Sequence, residues 1–310
     1  MHRKRGLVIS NCQAAPLAQM LGLFCRDISF TAFSVHLTNP ANRAARVAEV
    51  LAGPGAEAEV ILTVPLSAEF GPLSTPEIAQ SFAGRPVLRI LNLFFAGLHP
   101  DLTYIGGLGA RITGPMGDYH SRIVALSVAC GLPPGAALDL LHADTYRALD
   151  YTGEFDRSLA ELRRREAEVD LPFADAMAAL IRRERGFLTV NHPTAALFGA
   201  YAHAIAARLE AMGLAQTTGL PPDPSVLPNP LAAQTVFPIY PEIAAAHGLP
   251  YADPYLFRTP PQNGVAEVLR ADEFVAANHA ALVGLGADRI ARSPHLAPWL
   301  GRFRTLTGAG

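Results

Sequence analysis

Short apolar runs alternate with amphipathic stretches through the first ninety or so residues. Residues 6–10 (Gly6-Leu7-Val8-Ile9-Ser10) form a brief β-branched run, which predicts a buried strand. Leu17, Met20, Leu21 and Phe24 then recur at i, i+3, i+4 and i+7, which predicts a helix from residue 14 to about 24. Pro16 falls near its first turn, where a missing N–H costs little. Residues 28–35 predict a second strand ending at His36. Asn39-Pro40 reads as a cap and first position of a helix reaching about residue 51, stopped by Gly53-Pro54-Gly55. A third strand is predicted over 60–64, a short helix after Thr75-Pro76-Glu77, and a fourth strand over 87–91. Such alternation implies a mainly parallel sheet with helices on both faces.

The pattern then changes to helical periodicity. Residues 94–117 read as a long, glycine-rich loop, and Asp118 reads as the cap of a helix to about 130, stopped by Gly131 and Pro133. Further helices are predicted at about 135–148, 153–168, 172–185, 193–212, 231–247 and 271–285. The charged run 156–168 reads as a solvated helix face laced with i,i+4 pairs. Residues 219–230 hold five prolines and read as an extended connector. The expected fold is therefore α/β: an N-terminal Rossmann-like parallel sheet over 1–116, with a large, mainly helical portion over 117–310 packed on it as one globular unit. Strand one is not followed by G-x-G-x-x-G, and Gly106-Gly107-Leu108-Gly109 comes too late, so no dinucleotide cofactor is expected.

Composition narrows the function classes. Half of the 310 residues are hydrophobic and 17% are charged, enough for a sizeable core. A formal net charge of −2 argues against a general nucleic-acid binder. The three cysteines, Cys12, Cys25 and Cys130, have no metal-ligand spacing. They suit a reducing compartment and no metal is expected. The basic start Met1-His2-Arg3-Lys4-Arg5 precedes an apolar run too short for a signal-peptide core, so a cytoplasmic location is expected. No stretch approaches the ~18 apolar residues of a membrane span.

Three polar clusters interrupt the apolar background. Asn11-Cys12-Gln13 occupies the turn from strand one into helix one, at the carboxyl end of the sheet where open α/β folds bind ligands. A helix start there favours anions and lowers a thiol's pKa. Gly117-Asp118-Tyr119-His120-Ser121 and Asn191-His192-Pro193-Thr194 each lie at a predicted helix start. Asp118 and Asn191 are good N-caps, so both clusters have a purely structural reading as well. Chemically, a Cys12 thiolate activated by His120 or His192, with the histidine oriented by Asp118 or Asn191, supports nucleophilic acyl transfer. Backbone N–H groups and the Asn11 and Gln13 amides would then stabilise an oxyanion. The same residues support a second scheme, in which His120 acts as general base on an acceptor hydroxyl with no covalent intermediate. His36, Ser121 and Asn191 are candidate substrate contacts.

The strand-N-C-Q-x-x-P-L start, His36, the G-D-Y-H-S segment at 117–121 and N-H-P-T at 191–194 together resemble the WcbI family of capsular polysaccharide biosynthesis proteins. The likeness covers most of residues 6–212. Ser10 stands where many relatives would have Gly, and a small residue is kept. The resemblance implies an acetyl-CoA-dependent O-acetyltransferase acting on a sugar of a surface polysaccharide, with a fold distantly like SGNH hydrolases. Cys12 and Gln13 match its N-C-Q, and Asp118, His120, Asn191 and His192 match its motif positions. Coenzyme A would need cationic and aromatic contacts: Tyr119 and Arg122 are candidates, with Arg43, Arg46, Arg89 and Arg111 as further arginines. Two other functions stay open, an SGNH-like esterase or deacylase using Cys12 and a histidine, and a non-catalytic nucleotide- or glycan-binding protein.

Overall fold

In the computed structural model of the chain, residues 3–107 and 111–309 are described. Met1, His2, and Leu108 and Gly109 of the late glycine run lie outside them. The first part runs β1 (Lys4–Ser10), α1 (Ala14–Phe24), β2 (Ile28–Ser34), α2 (Arg43–Ala52), α3 (Pro54–Glu57), β3 (Val60–Thr63), α4 (Ile78–Ser81) and β4 (Val87–Arg89). Then come β5 (Leu102–Tyr104), β6 (Tyr119–Ser121), α5 (Arg122–Ala129), α6 (Pro134–Asp139), α7 (Ala143–Ala148), α8 (Glu154–Glu166), α9 (Ala174–Ile181) and α10 (Ala195–Ala211). The chain closes with α11 (Pro241–Ala246), β7 (Leu256–Arg258), β8 (Val268–Arg270), α12 (Ala271–Val283), α13 (Ala287–Ala291) and α14 (Ala297–Thr307). The mixed α/β class with a parallel sheet and many helices is as expected. Contacts group the chain into two compact units. One holds the described residues up to Leu93 with Leu162–Ala179 and Pro193–Leu231; the other holds Phe94–Glu161, Leu180–His192 and the residues from Ala232 on.

The first unit is built on a sheet of order β2-β1-β3-β4, all parallel. The chain steps from β1 to β2 in one direction and from β2 back past β1 to β3 in the other. Right-handed crossovers therefore put α1 and α2 on opposite faces. Alternation along β1 serves both: Leu7 and Ile9 join Val47 and Val50 of α2, Phe33 and Ile61 in one buried cluster. On its other side α1 buries Leu17, Met20, Leu21 and Phe24 and packs on β1, β2 and α10.

The second unit buries a cluster that includes Tyr146, Tyr151, Phe237, Tyr240, Phe257 and Phe274. At its centre the fully buried Asp101 accepts hydrogen bonds from Tyr151 Oη (2.9 Å), Tyr240 Oη (2.9 Å) and Ile123 N (2.9 Å). β5 pairs antiparallel with β6, placing Tyr104 opposite Tyr119.

Several expectations change. Residues 94–117 hold β5 rather than only a loop. Asp118 does not cap a helix, because pairing with β5 draws Tyr119–Ser121 into a strand, and Ser121 caps α5 by accepting from Val124 N. The helix after Asn39-Pro40 starts at Arg43, because the Asn39 side chain accepts from Ala41 N and Asn42 N and closes a turn first. Thr194, not Asn191, caps α10. The helix expected over 231–247 shrinks to α11, since Val236 bridges Arg258 and Phe237 N donates to Leu188 O.

Candidate functional site

Because β1 is flanked by β2 and β3, the turn after it stands at the switch point of the sheet's strand order, the usual ligand crevice of such sheets. Asn11-Cys12-Gln13 is that turn. It is braced from below by the chain leaving β4. Gln13, 2% exposed, donates through Nε2 to Leu93 O (2.7 Å) and accepts from Leu93 N (3.3 Å). Asn11 Nδ2 donates to Asn92 Oδ1 (3.0 Å) while Asn11 Oδ1 accepts from Gln13 N (3.0 Å). The two amides expected to face an oxyanion thus hold the turn to the end of β4. Cys12 between them is half-buried, in no disulfide, with its pKa pushed up to about 11 by burial, partly offset by its own backbone amide. At neutral pH it is a thiol. His36 sits in a tight turn (Val35–Leu37) after β2, at the same end of the sheet, and is exposed.

In the second unit, Tyr119 and the segment 189–192 form one hydrogen-bonded group. Tyr119 Oη donates to Asn191 Oδ1 (2.7 Å) and lies 3.2 Å from His192 Nε2. Thr189 Oγ1 also donates to Asn191 Oδ1 (3.2 Å). With its proton given to Asn191, the tyrosine oxygen accepts when His192 carries its proton on Nε2. The rings meet edge to face at 5.7 Å, and His192 is 7% exposed.

His120 is a different kind of residue. It is fully buried, with Nε2 on Ile112 O (2.9 Å) and Nδ1 accepting from Asn278 Nδ2 (2.8 Å). Asn278 Oδ1 in turn accepts from Ser121 N (3.0 Å). Gly114 packs so close that a Cβ there would lie 2.9 Å from the ring. Burial lowers the His120 pKa, and both nitrogens serve neighbours within the fold. Asp118 is exposed on the turn before β6, and Ser121 is the α5 cap.

The candidate arginines separate by their partners. Arg43 pairs with Glu69 (2.6 Å), Arg46 with Glu49 (2.7 Å) and Arg89 with Asp170 (2.7 Å). Arg111 and Arg122 pair with no carboxylate among the described residues. Arg111 lies over the Tyr104 ring at 3.8 Å, and Arg122 over Trp299 at 4.3 Å. A cavity of about 460 Å³ in the first unit is lined by Val47, Leu51, Phe70 and the Arg43–Glu69 ion pair, with no cysteine or histidine among its lining residues. No group of three or more metal-ligating side chains occurs among the described residues, and none of their helices is long and apolar enough to cross a membrane.

Two buried polar residues escaped the sequence reading. Asn278 lies on the apolar face of α12 with Phe274, Val275 and Leu282, and a polar residue at a core position was the available signal. His99, wholly buried, bonds Phe237 O at 3.1 Å, and burial with the nearby Arg185 charge pushes its pKa down to about 3. It is a neutral strut.

Residues 5–214 match the family profile described as the polysaccharide biosynthesis enzyme WcbI. No curated protein matches. One solved structure resembles the chain over 97% of its length and 99% of the other's, with a TM-score of 0.71 and 20% identity. It is described as WcbI, a novel polysaccharide biosynthesis enzyme, in its native form without a disulfide bond between coenzyme A and a cysteine.

Proposed function

The chain belongs to the WcbI family of polysaccharide biosynthesis enzymes, and from that premise we propose that it moves an acetyl group from acetyl-coenzyme A to a sugar hydroxyl of a surface polysaccharide or its precursor. The solved relative is described as the form that lacks a disulfide bond between coenzyme A and a cysteine, so its description names that pair. In this chain Cys12 is the residue we set against it, because its thiol stands on the switch-point turn.

The observation that carries the chemical scheme is the state of that thiol. A pKa near 11 keeps Cys12 protonated at neutral pH, and a thiol is a poor nucleophile without its base. We therefore assign no covalent intermediate to Cys12. The proton transfer belongs to His192. Its Nδ1 takes the proton of the acceptor hydroxyl, the oxygen attacks the thioester carbonyl, and the tetrahedral intermediate collapses with cleavage of the C–S bond. The coenzyme A thiolate leaves and receives the proton from His192. Tyr119 and Asn191 fix the imidazole's tautomer and orientation. The hydrolase alternative needs a Cys12 thiolate, against which the raised pKa stands.

Calorimetric titration with coenzyme A and acetyl-coenzyme A tests the donor. Binding of both is expected, and at about 100 times the dissociation constant the fold gains ~2.7 kcal/mol. Absence of binding across the millimolar range would refute the donor assignment. An oxidised sample should also carry coenzyme A on Cys12 in a form that reductant removes.

A further inference from the structure

The second unit holds two guanidiniums, of Arg111 and Arg122, for which no ion pair with a carboxylate occurs among the described residues. Arg111 stacks on Tyr104 yet makes no hydrogen bond or ion pair with any described residue. Its Nη1 is buried with no acceptor among the described residues. Arg122 gives one N–H to Pro100 O, lies over Trp299 and Tyr151, and has a buried Nε with no acceptor among the described residues. His295 stands against the Tyr104 ring at 6.5 Å. Its pKa is held below the ordinary value by burial and then by the charges of Arg111 and Arg122, so both guanidiniums bear on one place. The buried carboxylate of Asp101 is occupied by Tyr151, Tyr240 and Ile123 N.

Like charges gathered without a counter-charge destabilise a fold, and guanidinium N–H groups shut away from water without an acceptor cost more. The arrangement is also organised. Tyr104 and Trp299 hold the two guanidinium planes by cation–π contact, and the N–H groups not given to Pro100 O are the ones that would meet ligand oxygens. Planar forks of this kind match the tetrahedral oxygens of a phosphate in bidentate fashion. We propose that Arg111, Arg122 and His295 form a binding site for the phosphate or pyrophosphate group of a phosphorylated ligand.

Two ligands of the proposed reaction carry that chemistry: the coenzyme A donor, and a nucleotide- or lipid-linked sugar acceptor. Assignment to either rests on the acyltransferase reading, whereas the site itself does not. Tyr104 also lies 5.3 Å from Tyr119, whose hydroxyl meets His192, so the cluster adjoins the proposed base within one unit.

Inorganic pyrophosphate is the probe. Calorimetry should show that it binds the intact chain, and that Arg111→Gln and His295→Gln weaken it while Arg111→Lys retains most of the affinity. Loss of a charge-assisted contact predicts about ten- to a hundredfold weaker binding for Arg111→Gln. Displacement of pyrophosphate by coenzyme A assigns the phosphate to the donor. Displacement by a uridine diphosphate sugar, with coenzyme A inert, assigns it to the acceptor. No binding at millimolar pyrophosphate, an unchanged affinity in Arg111→Gln, or binding that neither ligand displaces (an adventitious ion only) would overturn the site. If Arg111→Gln fails to fold, the unsubstituted chain decides: pyrophosphate must move the His295 ring titration to higher pH, and an unmoved titration refutes the proposal. Pyrophosphate binding without any consumption of acetyl-coenzyme A would leave this site standing and remove the acyltransferase reading.

Discussion

At the scale of single residues, the fate of each candidate depends on which of its polar atoms the fold already uses. His120 and His192 look alike as sequence, each set among Asp, Asn, Ser or Thr. Asn278, far along the chain, takes the Nδ1 of His120, whereas His192 meets Tyr119 through Nε2, and the Tyr119 hydroxyl in turn donates to Asn191. His192→Gln should therefore lower kcat by about 10²–10⁴ and leave coenzyme A affinity unchanged, read by steady-state kinetics beside calorimetry. Equal loss on His120→Gln in a folded protein would contradict that division of roles. Cys12 yields a pH prediction. A thiol with its pKa raised to about 11 becomes more reactive with every step of rising pH through the range where ordinary thiols level off. Alkylation of Cys12 by iodoacetamide, followed by peptide mass spectrometry, should still be accelerating above pH 9. A plateau below pH 8 would show an activated thiolate instead.

At the scale of elements, α1 and the first three strands could be read from the sequence because local pattern and burial agree there. The Leu17–Met20–Leu21–Phe24 stripe gives α1 its observed limits, and the β-branched runs of β1 and β3 sit in a sheet covered on both faces. The readings fail where a distant partner overrides a good local signal. Asp118 is as good a cap as Ser121, but Tyr104, a strand away, pairs with Tyr119 and moves the helix start. The N-terminal half of the expected 231–247 helix is held extended by Arg258 and Leu188. β7 and β8, three residues each, carry too little pattern to be seen. The same logic covers the site: the N-C-Q and N-H-P clusters are visible as polar interruptions, but the bracing of Gln13 on Leu93 and the Asn278–His120 link are contacts across 80 and 158 residues. Asn278→Leu would strand His120 Nδ1 and Ser121 N in the core, at a cost of about 2–4 kcal/mol. Denaturant unfolding measures it, and a loss below 1 kcal/mol would mean that the network relaxes. Arg89 grips Asp170 through its side chain and backbone, which lowers the Asp170 pKa. A depressed carboxyl pKa stabilises the fold above the unfolded value near 3.9, and that contribution fades as pH falls through the folded value. Asp170→Asn should thus be less stable than the parent at pH 6 by on the order of 1 kcal/mol or less, given the exposure of the pair. The gap should narrow below about pH 4.

At the scale of the whole molecule, the chain combines a parallel sheet unit carrying the thiol turn with a second unit carrying His192, the proposed base, and the Arg111–Arg122–His295 cluster. Each unit is stitched from three separated stretches of sequence, so the functional residues are spread over most of the chain's length. The family profile, which spans residues 5–214, takes in the thiol turn, Arg111, Arg122 and His192 but not His295. The central claim is transfer from acetyl-coenzyme A to a sugar hydroxyl, and one assay meets it directly. The chain, the His192→Gln variant and the Cys12→Ala variant are each incubated with acetyl-coenzyme A and oligosaccharides of a surface polysaccharide. Released thiol and acetylated sugar are then quantified by mass spectrometry. One acetylated sugar per coenzyme A released, abolished in His192→Gln and retained in Cys12→Ala, is the predicted result. Thiol release without acetylated sugar, or transfer that requires Cys12 and not His192, would contradict the account.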